Sequence, residues 1–264
     1  MTNSAPPARG RHGRMANLAA GITLAGLVFA GAAGRAAEPA VSPLHADAFD
    51  TADIQHLARD KRLAVASYRI GLLRTAGTHS GLDEDTLHGI AERAYADLVR
   101  RLRATDREVV PAGEVHDLPQ YKAVASTRSR MYVQPLGDGQ ELLLIAPEEH
   151  DVVLTPLDAP VATVDPAAAD NLRALGAVSA AINAVVIVPT VVVETGPQGL
   201  AFAPRLTSLA VFHATGRSDG ESGQAPLKER VAITGLQQLD EDGFEAITTA
   251  ANRAFAEAAA RLKP

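Results

Sequence analysis

The loop Gly77-Thr-His-Ser-Gly81 follows an apolar run, at a position where enzymes place a serine nucleophile or a phosphate-binding loop. A nucleophile elbow needs serine at the centre of G-x-S-x-G, and Ser80 stands one place too late. A P-loop needs lysine after its second glycine, whereas the acidic run Asp83–Asp85 follows here and would repel phosphate. The pattern therefore predicts a surface loop.

Metal-type ligands are concentrated at Glu148-Glu149-His150-Asp151. Adjacent residues on a turn do not converge on one ion, and no H-E-x-x-H spacing accompanies them, so we predict a solvated turn. The alternative is a hydrolytic or metal site in which the fold adds His116 to this group. The other candidate histidines, which could join only through folding, are His79, His88 and His213. We predict no catalytic, cofactor-binding or metal-ligating residue, and no cofactor.

Arg69 is unusual because it interrupts the apolar run Leu63–Leu73. We expect its side chain to face solvent or to reach a carboxylate on a helix. The functional alternative is that Arg69 marks an exposed partner-binding face. Asp138 lies between two glycines and is typical of a turn.

The first 36 residues have the pattern of a secretory signal peptide. Arg9, Arg11 and Arg14 precede the uncharged stretch Leu18–Ala33, and small residues stand at 34 and 36. The stretch is too short and too rich in Gly and Ala for a strongly apolar membrane anchor, so we expect cleavage after residue 36. Translation from Met15 would leave a plain signal peptide.

Composition narrows the compartment and the partners. Among 264 residues there are 25 basic and 31 acidic side chains and no cysteine. Cleavage removes four basic residues (Arg9, Arg11, Arg14, Arg35) and no acidic ones, which gives a formal net charge of −10. This excess of acid argues against nucleic-acid binding. Without cysteine there is no disulfide and no lipid attachment at the cleavage site. We expect a periplasmic protein, or a secreted one, with no membrane span in its mature form.

The middle of the chain alternates strand and helix patterns. Leu63–Leu73 reads as one buried strand, and Asp83–Asp85 opens an amphipathic helix. Its apolar face is Leu87, Ile90, Ala91, Ala94, Tyr95, Leu98 and Leu102. A short strand follows at 108–111, then a helix over 113–125 broken at a proline. A hairpin is predicted around Gly137–Gly139, a further strand over 151–157, and a helix from Pro166 to about Ile182.

The C-terminal half is rich in strands, over 184–194, 206–215 and 230–234. Pro189 cannot donate to a ladder, so it predicts a bulge or an edge in the first of them. Residues 216–224 read as a mobile polar loop. Asp240 opens a closing helix whose inner face is Phe244, Ile247, Ala251, Phe255, Ala258 and Leu262.

This order of elements predicts an α/β or α+β fold, with a mixed sheet flanked by amphipathic helices. The predicted organisation is a signal peptide (1–36), an approach segment (37–58) and a single domain (59–264).

The segments KRLAVASYRI, DTLHGIAERAYADLVRRLRA, REVVPAGEV and AINAVVIVPTVVVE carry a family resemblance. In order and hydrophobic pattern the chain resembles a periplasmic α/β domain. That domain is shared by the curli secretion channel lipoprotein, the lipoprotein activators of peptidoglycan synthases and the N-terminal domain of TolB. The resemblance covers about residues 60–120 and 168–262. The lipidated cysteine and long amphipathic hairpins of the curli channel are missing here, so a pore is not expected.

The resemblance implies a soluble periplasmic module that binds another protein or self-associates. It transfers no functional residue, because the similar positions are core positions. We therefore expect an exported, non-enzymatic association module whose partner is an envelope protein or a second copy. Its expected interfaces are Val185–Val193 and Leu206–Thr215. The alternatives are a periplasmic hydrolase or metal-dependent enzyme, and a small-molecule binding protein.

Overall fold

The computed structural model describes ten stretches of the chain: residues 40–41, 44–52, 61–77, 81–124, 129–155, 166–196, 199–210, 221–228, 231–234 and 239–262. The predicted signal peptide lies outside these ranges, as do Ser80, His79, His213 and residues 216–220 of the predicted polar loop.

Ten strands, five α-helices and one 3₁₀ helix (Ala46–Ala48) follow one another along the described residues, and they confirm the predicted α/β fold with a mixed sheet. The strands are β1 (Ala40–Val41), β2 (Arg62–Val65), β3 (Arg69–Thr75), β4 (Glu108–Val110), β5 (Met131–Gly137), β6 (Gln140–Ile145), β7 (Val185–Gly196), β8 (Gly199–Ala210), β9 (Glu221–Pro226) and β10 (Val231–Thr234). The helices are α1 (Glu84–Arg103), α2 (Ala112–His116), α3 (Pro119–Lys122), α4 (Pro166–Ile182) and α5 (Glu241–Arg261).

The strand β7 is the centre of the sheet, and the sheet forks on both sides of it. On one side β7 pairs in parallel first with β2 and then with β3. Beyond them, β4 continues from β2 in parallel, whereas β6 and then β5 continue from β3 in antiparallel pairing. On the other side β8 pairs with β7, and both β9 and β10 pair with β8.

The bulge or edge predicted at Pro189 is wrong. β7 is paired on both sides, and its register with β8 passes through Pro189 without a shift. The Ile187 carbonyl accepts from the Ala66 amide, so the backbone groups of Ile187 face the side of β7 on which β2 and β3 lie. Backbone groups two residues apart in a strand point the same way, so the missing N–H of Pro189 faces the same side, which we call the β2–β3 line. That line is interrupted between Val65 and Arg69, where no ladder donor is needed. Val185–Val193 is therefore not a free edge.

Helices cover both faces of the sheet. On one face α1 and α5 pack on β2, β3 and β7, through side chains such as Ile90, Leu98, Phe244 and Phe255. On the other face α4 packs with the α2–α3 region through a second apolar cluster that includes Leu175. Burying each such large side chain contributes about 1.5–3 kcal/mol, so these two layers are the main source of stability.

The predicted starts of α1 and α5 are confirmed. The Asp83 carboxylate accepts from the Thr86 amide at the start of α1, and the Asp240 carboxylate accepts from the Gly243 amide at the start of α5. The hairpin of β5 and β6 is also confirmed. Its turn places Asp138 and Gly139 at positive φ (49° and 70°), as a two-residue turn of this kind requires.

Three stretches differ from the sequence interpretation. The single strand predicted over 63–73 is divided into β2 and β3. Residues 151–155 form no strand, and Glu221–Gln224, predicted as loop, belongs to β9.

Part of the approach segment packs on the domain, because β1 pairs with β10 and Phe49 is buried against the core. Within the described ranges, no helix combines the length and the apolar character that crossing a bilayer requires.

Candidate functional site

The candidate site lies in the gap where the sheet forks. β4 ends at Val110, opposite Ala64, and β6 ends at Ile145, opposite Ile70. The chain between β2 and β3 therefore has no strand beside it on that side. In open α/β sheets, ligand crevices form at the carboxyl ends of parallel strands, and this gap lies at the carboxyl ends of β2 and β4.

The Ala66 carbonyl is at the centre of the gap, and side chains replace the missing strand. The Tyr121 hydroxyl donates to this oxygen at 2.8 Å, and His150 Nδ1 lies 3.4 Å from it. Because a carbonyl oxygen only accepts, we assign the imidazole hydrogen of His150 to Nδ1. Its Nε2 then carries a lone pair, and this atom is buried without a hydrogen-bond partner.

His116 and His150 form a pair of neighbouring imidazoles. Their ring centres are 4.7 Å apart and the rings are perpendicular. Tyr95 packs on His150 at 4.5 Å, and Tyr121 stacks on His116 at 4.6 Å. His116 Nε2 is also buried without a hydrogen-bond partner.

Burial keeps both rings neutral at neutral pH. Together with the neighbouring His116, it lowers the pKa of His150 to about 4. Burial also lowers the pKa of His116, although the Ala66 carbonyl and, after it, the Asp151 and Glu149 carboxylates act in the opposite direction. The pair therefore presents two lone-pair acceptors, not two positive charges.

Next to the site, a chain of buried hydrogen bonds joins Tyr68 to α5 and α5 to α1. The Tyr68 hydroxyl donates to Asn252 Oδ1 at 3.1 Å, and Asn252 Nδ2 donates to the Ala94 carbonyl at 2.8 Å. Burial raises the pKa of Tyr68 well above its usual value, so the hydroxyl stays protonated. Tyr68 therefore holds the helices in place and does not act as an acid or base.

A cleft of about 640 Å³ opens beside this cluster and follows one face of α1. Its helical lining, spaced at three and four residues, is Glu92, Tyr95, Ala96, Val99, Arg100 and Arg103. The opposite wall is Pro111 and the start of α2 (residues 112–113), together with Glu149. The cleft is within the range of ligand-binding pockets.

Charge in the cleft is divided between its ends. Glu92 and Glu149 lie at one end, since Glu92 Oε1 accepts from the amide of Glu148, the neighbour of Glu149. Arg100 and Arg103 come from the C-terminal part of α1. Arg100 is paired with Asp97, whereas Glu149 and Arg103 form no ion pair with any described residue. Burial and the Glu149 charge raise the pKa of Tyr95, between these ends, to about 12.

The predicted solvated turn at Glu148–Asp151 is wrong for one residue. Glu148 and Glu149 are exposed, but His150 is only 2% exposed because it fills the gap beside Ala66. The fold brings His116 to His150, as the alternative interpretation required. Even so, no three His, Cys, Asp or Glu side chains in the part of the chain that the structure describes are placed to hold a metal ion. His88 lies apart, with Nδ1 3.1 Å from the Ala146 carbonyl.

Arg69 is buried, so the prediction of a solvent-facing side chain or an exposed docking face is wrong. Its guanidinium donates to the Val153 carbonyl at 2.7 Å and to the Thr190 hydroxyl. Arg69 follows the strand interruption, where Val153 belongs to irregular chain whose carbonyl needs a donor. The neighbouring Ser67 hydroxyl serves the same purpose by donating to the Asp151 carbonyl at 2.8 Å.

The sequence interpretation missed three tyrosines of the site, Tyr68, Tyr95 and Tyr121. The sequence predicts Tyr95 on the apolar face of α1, and no sequence pattern places Tyr68 or Tyr121 in a site. The available signal was Ser67-Tyr68-Arg69, three polar or amphipathic residues in a row inside an apolar run.

Comparisons with models of protein families, with curated proteins and with solved structures give no match.

Proposed function

We propose that this chain is an exported, non-enzymatic module of a Gram-negative cell envelope that acts by binding another protein. The observation that carries the proposal is the cleft along α1, in which Glu149 and Arg103 have no ion-pair partner within the described residues. The signal-peptide pattern of residues 1–36 supports export to the periplasm. The resemblance to periplasmic association domains supports the protein partner.

The chemistry around the cleft favours binding over catalysis. The Ser67 and Tyr121 hydroxyls both donate to backbone carbonyls, so neither is activated by a neighbouring base. His150 is buried and has Tyr95 packed against its ring, whereas a general base must come within hydrogen-bond reach of its substrate. The exposed groups of the cleft are charged side chains and small apolar ones, which suits the recognition of a protein partner.

The direct test is native mass spectrometry of the chain released by osmotic shock from the organism that encodes it. We expect a chain that begins at residue 37, in complex with an envelope protein or with a second copy. The double variant Arg103→Glu/Glu149→Lys should lose the complex. Arg173→Glu, an exposed charge reversal on α4 outside the cleft, should keep it. A chain that retains residues 1–36 in the cytoplasm contradicts export, and a complex unaffected by the double variant contradicts the role of the cleft.

A second candidate, a metal-dependent enzyme, is favoured by one observation: the unpartnered Nε2 atoms of His116 and His150 beside the cleft. Neutral imidazole nitrogens bind Zn²⁺ well, but two ligands leave the rest of the coordination shell to water or substrate. Zn²⁺ titration calorimetry decides between the candidates. Micromolar binding that His116→Gln and His150→Gln each abolish supports the enzyme, and binding unchanged by both variants removes it.

A further inference from the structure

We propose that the occupant of the cleft is a short extended segment of the partner, with a basic side chain at one end and an acidic side chain about four residues away. This inference rests on the proposed function and specifies the chemistry of the partner. It depends on three features of the cleft: its length, the division of its charges and its bare apolar middle.

The length of the cleft fits a peptide of about five residues. Glu92 and Arg103, at its two ends on α1, are eleven residues apart, which is about 16 Å along a helix axis. An extended chain advances about 3.3 Å per residue, so about five residues span the same distance. A single amino acid is far shorter than this and would not reach both ends.

The charges at the two ends are complementary to a segment with one basic and one acidic residue. Glu149, supported by Glu92, offers carboxylates to a basic side chain, and Arg103 offers a guanidinium to an acidic one. Both ends act on the ring of Tyr95, since the Glu149 charge raises the pKa of this residue and the Arg103 charge lowers it. The opposite charges therefore face one shared space.

The middle of the cleft leaves room for a peptide backbone. Between the charged ends the walls are Ala96 and Val99 on α1 and residues 111–113 on the opposite side. A Cβ atom added to Gly113 would meet no atom within 4 Å, so this wall is open beside the start of α2. Small apolar side chains here would contact the middle residues of the segment.

The test is an NMR titration of the full chain, as the cell processes it, with three capped peptides: Lys-Ala-Leu-Ala-Glu, Lys-Ala-Leu-Ala-Lys and Glu-Ala-Leu-Ala-Glu. Capping removes the terminal charges, so only the side chains differ. We expect shifts of the Ala96, Val99 and Gly113 amides, and at least about threefold tighter binding of the first peptide, as expected for one exposed ion pair. The preference should disappear in 0.5 M salt.

Charge reversal gives the decisive comparison. Arg103→Glu should change the preference to the peptide with two lysines, and Glu149→Lys should change it to the peptide with two glutamates. Arg173→Glu, with the same change in net charge, should keep the wild-type preference. Equal affinities for the three peptides, or no binding at millimolar concentration, would overturn the inference. If the native complex still dissociates in the double variant, the proposed function stands and only the partner chemistry is wrong.

Discussion

The free energy of unfolding of the wild-type chain should fall between pH 7 and pH 5, and replacing His150 with glutamine should abolish most of this fall. Burial lowers the pKa of His150 from 6.5 to about 4. Between these values the unfolded chain binds a proton that the folded chain does not, so the free energy of unfolding falls as the pH drops below 6.5. The fall ends below about pH 4, when the folded chain is protonated too.

The size of the effect follows from the same values. One pH unit between the two pKa values corresponds to about 1.4 kcal/mol. At pH 5, about 1.5 units below the pKa of histidine in the unfolded chain, His150 therefore lowers the free energy of unfolding of the wild-type chain by about 2 kcal/mol. His116, whose pKa is lowered in the same direction, adds to the wild-type loss and remains in the variant.

The assay is urea unfolding at pH 7 and at pH 5, followed by circular dichroism because the chain has no tryptophan. The quantity compared is the change in unfolding free energy between the two pH values, which cancels any packing loss in the variant. Ala177→Gln is the control, since it adds the same side chain at an exposed position of α4, removes no titrating group and should keep the wild-type pH dependence. Equal pH dependence in His150→Gln and wild type would refute the reasoning.

Three further substitutions test two buried polar links and one helix cap by the same unfolding assay at pH 7. Tyr68→Phe leaves Asn252 Oδ1 without its donor and should cost about 1–3 kcal/mol; an unchanged midpoint would contradict the buried bond from Tyr68 to α5. Arg69→Met removes the donor to the Val153 carbonyl and should cost at least about 2 kcal/mol, whereas an exposed arginine would cost almost nothing. Asp240→Ala removes the cap of α5 and should cost about 1 kcal/mol, while Asp240→Asn should stay near wild type; equal loss in both would contradict a capping role.

The helices and the hairpin could be predicted because their signals are local. α1 and α5 each have an acidic cap followed by an apolar face at helical spacing, and the hairpin has Gly-Asp-Gly at its turn. The division of Leu63–Leu73 into two strands could not be predicted in this way. A continuous apolar run shows burial, but it does not show where a neighbouring strand stops.

The site could not be predicted for the same reason. His116 and His150 meet because β4 and β6 end on opposite sides of one gap, and no pattern within either segment specifies those pairings. The missing donor of Pro189, taken alone, predicts a bulge or an edge. In the folded chain the missing donor faces the interruption between β2 and β3, and the gap lies on the other side of this interruption. One structural feature therefore accounts for the proline, for buried Arg69 and for the histidine pair.

The most direct measurement is photo-crosslinking in living cells, with p-benzoylphenylalanine placed at Ala96 in the cleft or at Ala177 on α4. Both alanines are exposed helix positions, so they make a matched pair. The account predicts one discrete crosslinked product from position 96, none from position 177, and loss of that product when Arg103→Glu and Glu149→Lys are combined. No product from position 96, or the same products from both positions, would contradict a cleft that binds a protein partner.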